Sequence, residues 1–359
     1  MAGKYRKRSG HFDVIMMSDF RLPGGTTSSN IEEMKAQKRA GLTTGLIHMS
    51  GQPRSRKSTI NPKIKRMVDG RSIRMLNTTA RATCDTLIIR HPRILHVRRR
   101  YKPNVSAKRI HVIVNQTPRK DYGRYGQLVY NISRCEQRVK QFFGKSSTWH
   151  PIGPQVRKTL FKHHAGDLKN IKLASADWVN IINTREWRRK NRPSHRGVIK
   201  IGRHSRDAYV KWPSNRTDLL KIYPASSKYE IHILGGARTP RRILGKLPQN
   251  WHVLGFGKRS PKSFLAGLDV FVYYTHPNCV EAFGRVIFEA MAAGVPVILP
   301  PSYKELFGEA AIYAEPSNVT NEIDRLMSSS ELYERQVRRA IQYVEANFGY
   351  TKHRARLNK

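Results

Sequence analysis

The segment CVEAFGRVIFEAMAAGVPVILP, Cys279–Pro300, constrains the fold more than any other stretch of the chain. Ala290-Met291-Ala292-Ala293 reads as a close-packed, small-residue helix that Gly294 ends. Val295-Pro296-Val297-Ile298-Leu299 follows at once as a buried-strand pattern. A helix–Gly–strand passage of this kind suits the carboxyl edge of a parallel α/β sheet, the edge at which such folds bind ligands. Glu281 stands just before the helix and Glu289 two turns into it, roughly 12 Å along the axis if both were helical.

The rest of the chain extends the same alternation. Its 359 residues are enough for two domains, each with its own core. In the first half, strands are predicted at His11–Asp19, Thr44–Met49, Thr86–Arg90, Arg109–Asn115, Thr148–Ile152 and Trp178–Asn183. Helices are predicted at Ile31–Ala40 and from Pro154 to Phe161, while residues 51–75 are basic and weakly periodic. The polar run Lys190–Gly197 is the best linker. Beyond it, strands are predicted at Val198–Ile201, Glu230–Leu234, Trp251–Leu254, Val270–Tyr274, Val295–Leu299 and Ala311–Tyr313. Helices are expected at Asp218–Tyr223, Pro261–Leu268, Glu281–Glu289 and Ser330–Asn347. The division expected is a basic tail 1–10, an N-terminal Rossmann-like domain 11–192, a C-terminal one 193–340, and a helix and tail 341–359 able to cross back to the first domain.

Charge is the unusual compositional feature. The chain has 67 Lys+Arg against 25 Asp+Glu, a net +42, and +31 of this lies in residues 1–195. A field of that size attracts polyanions. Arg98, Arg99, Arg100 and Lys102 surround Tyr101, and Arg188 and Arg189 follow Trp187. Arginines interleaved with aromatics suit backbone phosphates plus base stacking, and also a membrane interface. Three scattered cysteines, Cys84, Cys135 and Cys279, offer neither a disulfide framework nor a metal spacing, which fits a reducing, cytoplasmic setting. His163-His164 lack an evident carboxylate partner, so no metal site is indicated. No apolar run reaches the length of a membrane helix, which leaves room only for peripheral membrane contact.

Several residues fall at strand ends. After the first strand, Gly24-Gly25 precedes a helical stretch, a turn that presents free backbone N–H groups to an anion. It is not GxGxxG, so a dinucleotide site is not specifically indicated. Glu281 and Glu289 are poor phosphate ligands but good acceptors for sugar hydroxyls.

The pattern Glu281-Ala-Phe-Gly284…Glu289-Ala-Met-Ala-Ala-Gly294-Val-Pro296-Val resembles the E-x7-E signature of retaining glycosyltransferases of the GT-B fold, family 4 above all. The resemblance is strong over residues 196–315 and weak over 50–170. It implies an α/β chain of two Rossmann-like domains facing each other across a cleft. By position, Glu281 would contact a donor sugar and Glu289 the ribose of its nucleotide. The N–H groups of Phe283 and Gly284 would face the diphosphate. Gly202-Arg203 followed by Lys211, at a spacing of eight, is similar to the family's Arg…Lys pair, which neutralises the leaving diphosphate. Gly24, Gly25 and Gly235 would approach the nucleotide. The family often has a His ending a middle strand of its first domain. Here that strand ends in Asn115-Gln116, and His91, at the preceding strand end, is the alternative. The family's chemistry implies a nucleoside-diphosphate sugar as co-substrate, with no cofactor and no metal.

In such an architecture the first domain takes the acceptor, so the +31 half points to a polyanionic acceptor. A hydroxylated base in DNA is favoured over an anionic lipid, a cell-wall polymer or a protein. Two rivals remain at this level. One is a sugar-nucleotide epimerase of the same fold, which needs strand-end acids beyond Asp19. The other is a nucleic-acid-binding protein of this fold without turnover.

Overall fold

A computed structural model describes residues 10–52, 59–98, 101–123, 126–192 and 197–357. Arg99, Arg100, Arg124, Tyr125, the tail 1–9, the cluster at 53–58 and the linker residues 193–196 lie outside them. The chain divides into two compact units. Unit 1 is Met1–Ile181, Val280–Phe283 and Tyr350–Lys359; unit 2 is Ile182–Cys279 and Gly284–Gly349.

Among the described residues, unit 1 is built on seven strands: β1 (Gly10–Ser18), β2 (Thr44–His48), β3 (Ile73–Leu76), β4 (Ala82–Arg90), β5 (Val105–Val114), β6 (Thr148–Pro151) and β7 (Lys172–Leu173). All pair in parallel, in the order β3-β2-β1-β4-β5-β6-β7. The central strands are near-continuous apolar runs, such as Thr86-Leu87-Ile88-Ile89 of β4, because helices cover both faces of such a sheet. Strand order reverses between β1 and β4, and an open parallel sheet parts there to receive a ligand.

Unit 2 repeats this plan. Its strands are β8 (Ile199–His204), β9 (Tyr229–Leu234), β10 (Trp251–Leu254), β11 (Val270–Val272), β12 (Val297–Leu299) and β13 (Ile312–Tyr313). The order β10-β9-β8-β11-β12-β13 puts the reversal between β8 and β11. Gly202, inside β8, is required there. A Cβ would lie 2.1 Å from Leu268 Cδ1, so the connection entering β11 packs directly on the backbone of β8.

Several elements differ from the sequence expectations. The first helix runs over Gly25–Arg39, so Thr26–Asn30 are helical rather than a lead-in. The basic stretch 51–75 contains a short helix, Pro62–Lys65, and β3. A helix at Ile132–Phe143 has no counterpart among those expectations; its Asn131 cap accepts the Arg134 N–H at 2.7 Å. Trp178–Asn183 is not a strand. Its apolar side chains are buried by tertiary packing, with the Trp178 indole hydrogen-bonded to Glu33. The helix after Gly284 runs over Arg285–Ala292, so Glu289 lies about one turn inside it, not two.

Arg188 and Arg189, read from sequence as part of the first domain, fall in unit 2. Tyr350–Leu357 forms a final helix that groups with unit 1, whereas the long helix Ser330–Phe348 belongs to unit 2.

Candidate functional site

In unit 2, the functional candidates gather at the carboxyl ends of β8, β9 and β11, beside the helix Arg285–Ala292. Gly284 precedes that helix at φ 79° and has no side chain to cap its first turn, and the Ile287 N–H bonds back to the Gly284 carbonyl at 2.9 Å. Glu289 is buried at 6 % exposure. One carboxylate oxygen accepts the Arg285 guanidinium at 3.0 Å; the other is 3.8 Å from His204 Nε2. A carboxylate accepts at both oxygens, and the Arg285 guanidinium fixes how this one is turned. His204 Nε2 has no protein hydrogen-bond partner. Burial, with Arg203 adding to it, pushes the imidazole down to about 3, so it is neutral.

Arg203 is not presented as an open cation. Its side chain is fully buried and lies over the Trp212 ring, 3.6 Å from the centroid. Its guanidinium donates to Ser205 Oγ at 3.1 Å and to the Lys211 carbonyl at 2.5 Å, with longer bonds to the Tyr274 carbonyl and Tyr223 hydroxyl. The Arg203 Nε is buried without a hydrogen-bond partner. Arg203 pins the loop that carries Lys211, which sits half-buried in a one-turn helix, Tyr209–Lys211.

Gly235 is dictated by sterics. Its φ is 119°, and a Cβ would come 1.8 Å from the Ser205 carbonyl oxygen. Asp207 folds over the same turn and accepts the N–H groups of Arg238 and Thr239 at 2.6 and 3.4 Å. Glu281 and Phe283 group with unit 1, Glu281 half-buried and Phe283 buried.

In unit 1, a second set lies at the reversal between β1 and β4. Gly24 takes φ 87° and ψ −144°, a glycine conformation, and the helix Gly25–Arg39 starts without a side-chain cap. Asn115, at the end of β5, donates to Thr26 Oγ1 at 3.2 Å and so ties the helix start to the sheet edge. His91 follows β4 directly with φ 76°, the only described non-glycine residue at positive φ, a strained geometry characteristic of functional sites. Its Nδ1 is buried without a partner. Burial pushes the imidazole down to about 4, although a bond to Gln116 opposes the shift. Asp19 is fully engaged: Arg21 holds it with two bonds of 2.8 Å and the Gly51 N–H donates at 2.8 Å. The one strand-end acid that an epimerase reading relied on is therefore committed to structure.

The basic residues divide. Arg98 and Lys102 are exposed, as is Tyr101 between them. Arg188 is exposed, but the Arg189 guanidinium is consumed inside unit 2 by the Leu268 carbonyl at 2.7 Å and the Tyr333 hydroxyl at 2.8 Å. His164 does have a carboxylate neighbour, Asp167, 3.4 Å from Nδ1, with the Tyr122 hydroxyl 2.9 Å from Nε2. Sequence reasoning missed His204, Arg285 and Asn115 as site residues. Asn115 and His204 both end strands at the carboxyl edge, a positional signal that was available.

Residues 197–329 match the family described as glycosyl transferases group 1. No curated protein matches the chain by sequence. Solved structures match over nearly its whole length. Anabaena Alr3699/HepE, solved with UDP and glucose, aligns with a TM-score of 0.64 at 13% identity, covering 97% of this chain and 98% of that one. A glycosyltransferase from Rickettsia africae aligns at 0.62 and 14% identity, covering 96% and 97%. An α-glucosyltransferase, solved with UDP and a 13-mer DNA containing an HMU base, aligns at 0.64 and 13% identity, covering 98% and 100%. The two parallel α/β units are those of the GT-B fold, and most of the segment that matches glycosyl transferases group 1 falls in unit 2.

Proposed function

We propose that the protein is a retaining, nucleotide-sugar-dependent glycosyltransferase whose acceptor is a polyanion, a hydroxylated base in DNA before any other. The observation that carries the reading is Glu289. It is a buried carboxylate oriented by Arg285 next to an uncapped helix N-terminus, at the strand reversal of the unit that matches the glycosyl transferases group 1 family. Glu289 takes the ribose hydroxyls of the donor. The backbone at the start of the helix Arg285–Ala292, with the favourable end of its dipole, and the Lys211 ammonium take the diphosphate, where negative charge grows as the anomeric C–O bond breaks. Arg203 keeps Lys211 in place. Glu281 positions the donor sugar.

The acceptor oxygen bonds to the anomeric carbon as the diphosphate leaves, and its proton passes to a phosphate oxygen. Burial pushes the His91 imidazole down to about 4, so at pH 7 it is neutral and a weak base, and it is not the main proton acceptor. The surplus of cations in residues 1–195, with Arg98 and Lys102 exposed around Tyr101, supports a polyanionic acceptor. The α-glucosyltransferase with HMU-containing DNA supports modified DNA within that class.

The test is a panel of nucleoside-diphosphate sugars offered with and without DNA containing hydroxylated bases, following nucleotide release and DNA mass. Acceptor-dependent release is expected for one donor, and Glu289→Ala should abolish it without altering the circular dichroism spectrum. No release with any donor, or full turnover by Glu289→Ala, would overturn the reading.

A further inference from the structure

One cluster of ligand-type side chains in unit 2 takes no part in the donor site described above. Glu230 and His232 lie two residues apart on β9 and so project from the same face of the sheet. His252 on β10 is the register partner of His232, which places the two imidazoles side by side across adjacent strands. Their rings are 5.0 Å apart and nearly parallel, at 25°. His232 Nε2 is 3.0 Å from a Glu230 carboxylate oxygen, and one ligand atom from each of the three residues lies within 4.8 Å of the other two. Glu230 and His232 are half-buried and His252 is exposed, so the cluster has an anchored side and an open side. Among the described residues it is the one His/Cys/Asp/Glu group with this mutual reach.

We propose that Glu230, His232 and His252 form a binding site for a single late first-row divalent ion, with zinc the best match. Two imidazoles and a carboxylate are a zinc donor set, and they are poor in oxygen for magnesium or calcium. Zinc prefers four ligands, and the exposed side at His252 leaves the fourth position to water. Small rotations of the side chains bring the three donor atoms from their present spacing onto one ion, which replaces the His232–Glu230 hydrogen bond. The ion clips the edge strand β10 to β9, an edge that otherwise ends in the exposed Val253, Leu254 and Phe256. Lys200, the β8 register partner of Glu230, opposes binding through its charge, which both Glu230 and His232 feel. The site therefore depends on the Glu230 carboxylate to offset that cation. No sequence spacing announces it, because its two histidines are adjacent only through the pairing of β9 with β10.

The full chain, stripped with a chelator and dialysed against zinc at neutral pH, should retain one ion. His252→Ala, a surface change, and His232→Ala should each weaken binding at least ~10-fold, and Glu230→Gln should weaken it as well. Cys279→Ala, which removes the half-buried thiol of the same unit, should leave binding unchanged. Cobalt in place of zinc should give a visible absorption band that His252→Ala loses. Zinc should raise the melting temperature of the wild type and not that of His252→Ala. Failure of the stripped chain to retain zinc, or equal retention by the wild type, His232→Ala and His252→Ala, would overturn the proposal.

Discussion

Replacing Glu33 with Gln tests the buried polar hub of unit 1. Glu33 lies in the helix Gly25–Arg39 and is almost fully buried. One of its oxygens accepts Arg90 at 2.5 Å, the Trp178 indole at 2.7 Å and Arg356 of the final helix at 2.7 Å, with His353 at 3.8 Å. The Glu33→Gln amide would keep the shape and remove the charge, leaving the Arg90 and Arg356 cations without a counter-ion. Breaking a buried pair in this way costs about 3–5 kcal/mol. The carboxyl's own titration leads to a similar figure. Burial opposes ionisation, but Arg90, His353 and Arg356 overcome it and pull Glu33 from 4.5 down to about 2, worth about 3 kcal/mol. That is a large part of the ~5–15 kcal/mol that holds a domain together. Because the folded pKa is the lower one, this stabilisation is complete above pH 4.5 and is lost as pH falls from 4.5 through about 2. Urea unfolding followed by tryptophan fluorescence should therefore show a clear fall in midpoint for Glu33→Gln at neutral pH. The wild type should converge on the variant as the pH is lowered. A neutral-pH difference below about 0.5 kcal/mol, the range of an ordinary surface change, would refute the hub.

Other perturbations probe the donor side and the basic face. Gly235→Ala must move the Ser205 carbonyl from 1.8 Å and carry a φ of 119°, so a loss of about 2 kcal/mol or more in thermal unfolding is expected, together with loss of transfer. Arg203→Lys cannot reproduce the stack on Trp212 together with the fork to Ser205 and Lys211. It should destabilise unit 2 by about 2–4 kcal/mol and lower kcat, and unchanged stability would show that the guanidinium is dispensable. The pH profile of kcat should lack a histidine inflection near neutrality, since His91 and His204 titrate at about 4 and about 3; an inflection near pH 6.5 that His91→Gln removes would contradict this. DNA binding measured across a salt series should weaken steeply, and Arg98→Ala or Lys102→Ala should each reduce the slope by about 1.

What could be read from the residues alone follows from how local each signal is. The passage from Gly284 to Leu299 was legible because a glycine start, a small-residue helix, a glycine stop and an apolar strand lie within one short stretch. β3 was hidden because Arg74 and its basic surroundings mask a strand that is held by register with β2. Trp178–Asn183 failed in the opposite sense. Its apolar side chains look like a strand, yet Trp178 is buried by Glu33 and Arg356, residues far away in sequence. Arg203 shows the same limit inside the site. A strand end followed by Gly-Arg reads as a cation offered to a ligand, and only the packed Trp212 ring and the Lys211 carbonyl reveal that it faces inward. The consequence for function is specific. In the reaction proposed above, with the Arg203 fork bonded to the loop, charge developing on a leaving diphosphate falls mainly to Lys211 and to the helix start after Gly284. The donor site then depends on backbone geometry as much as on side-chain charge. Changes at Gly235 or Gly284, which remove no charge, should cost transfer as heavily as loss of Lys211.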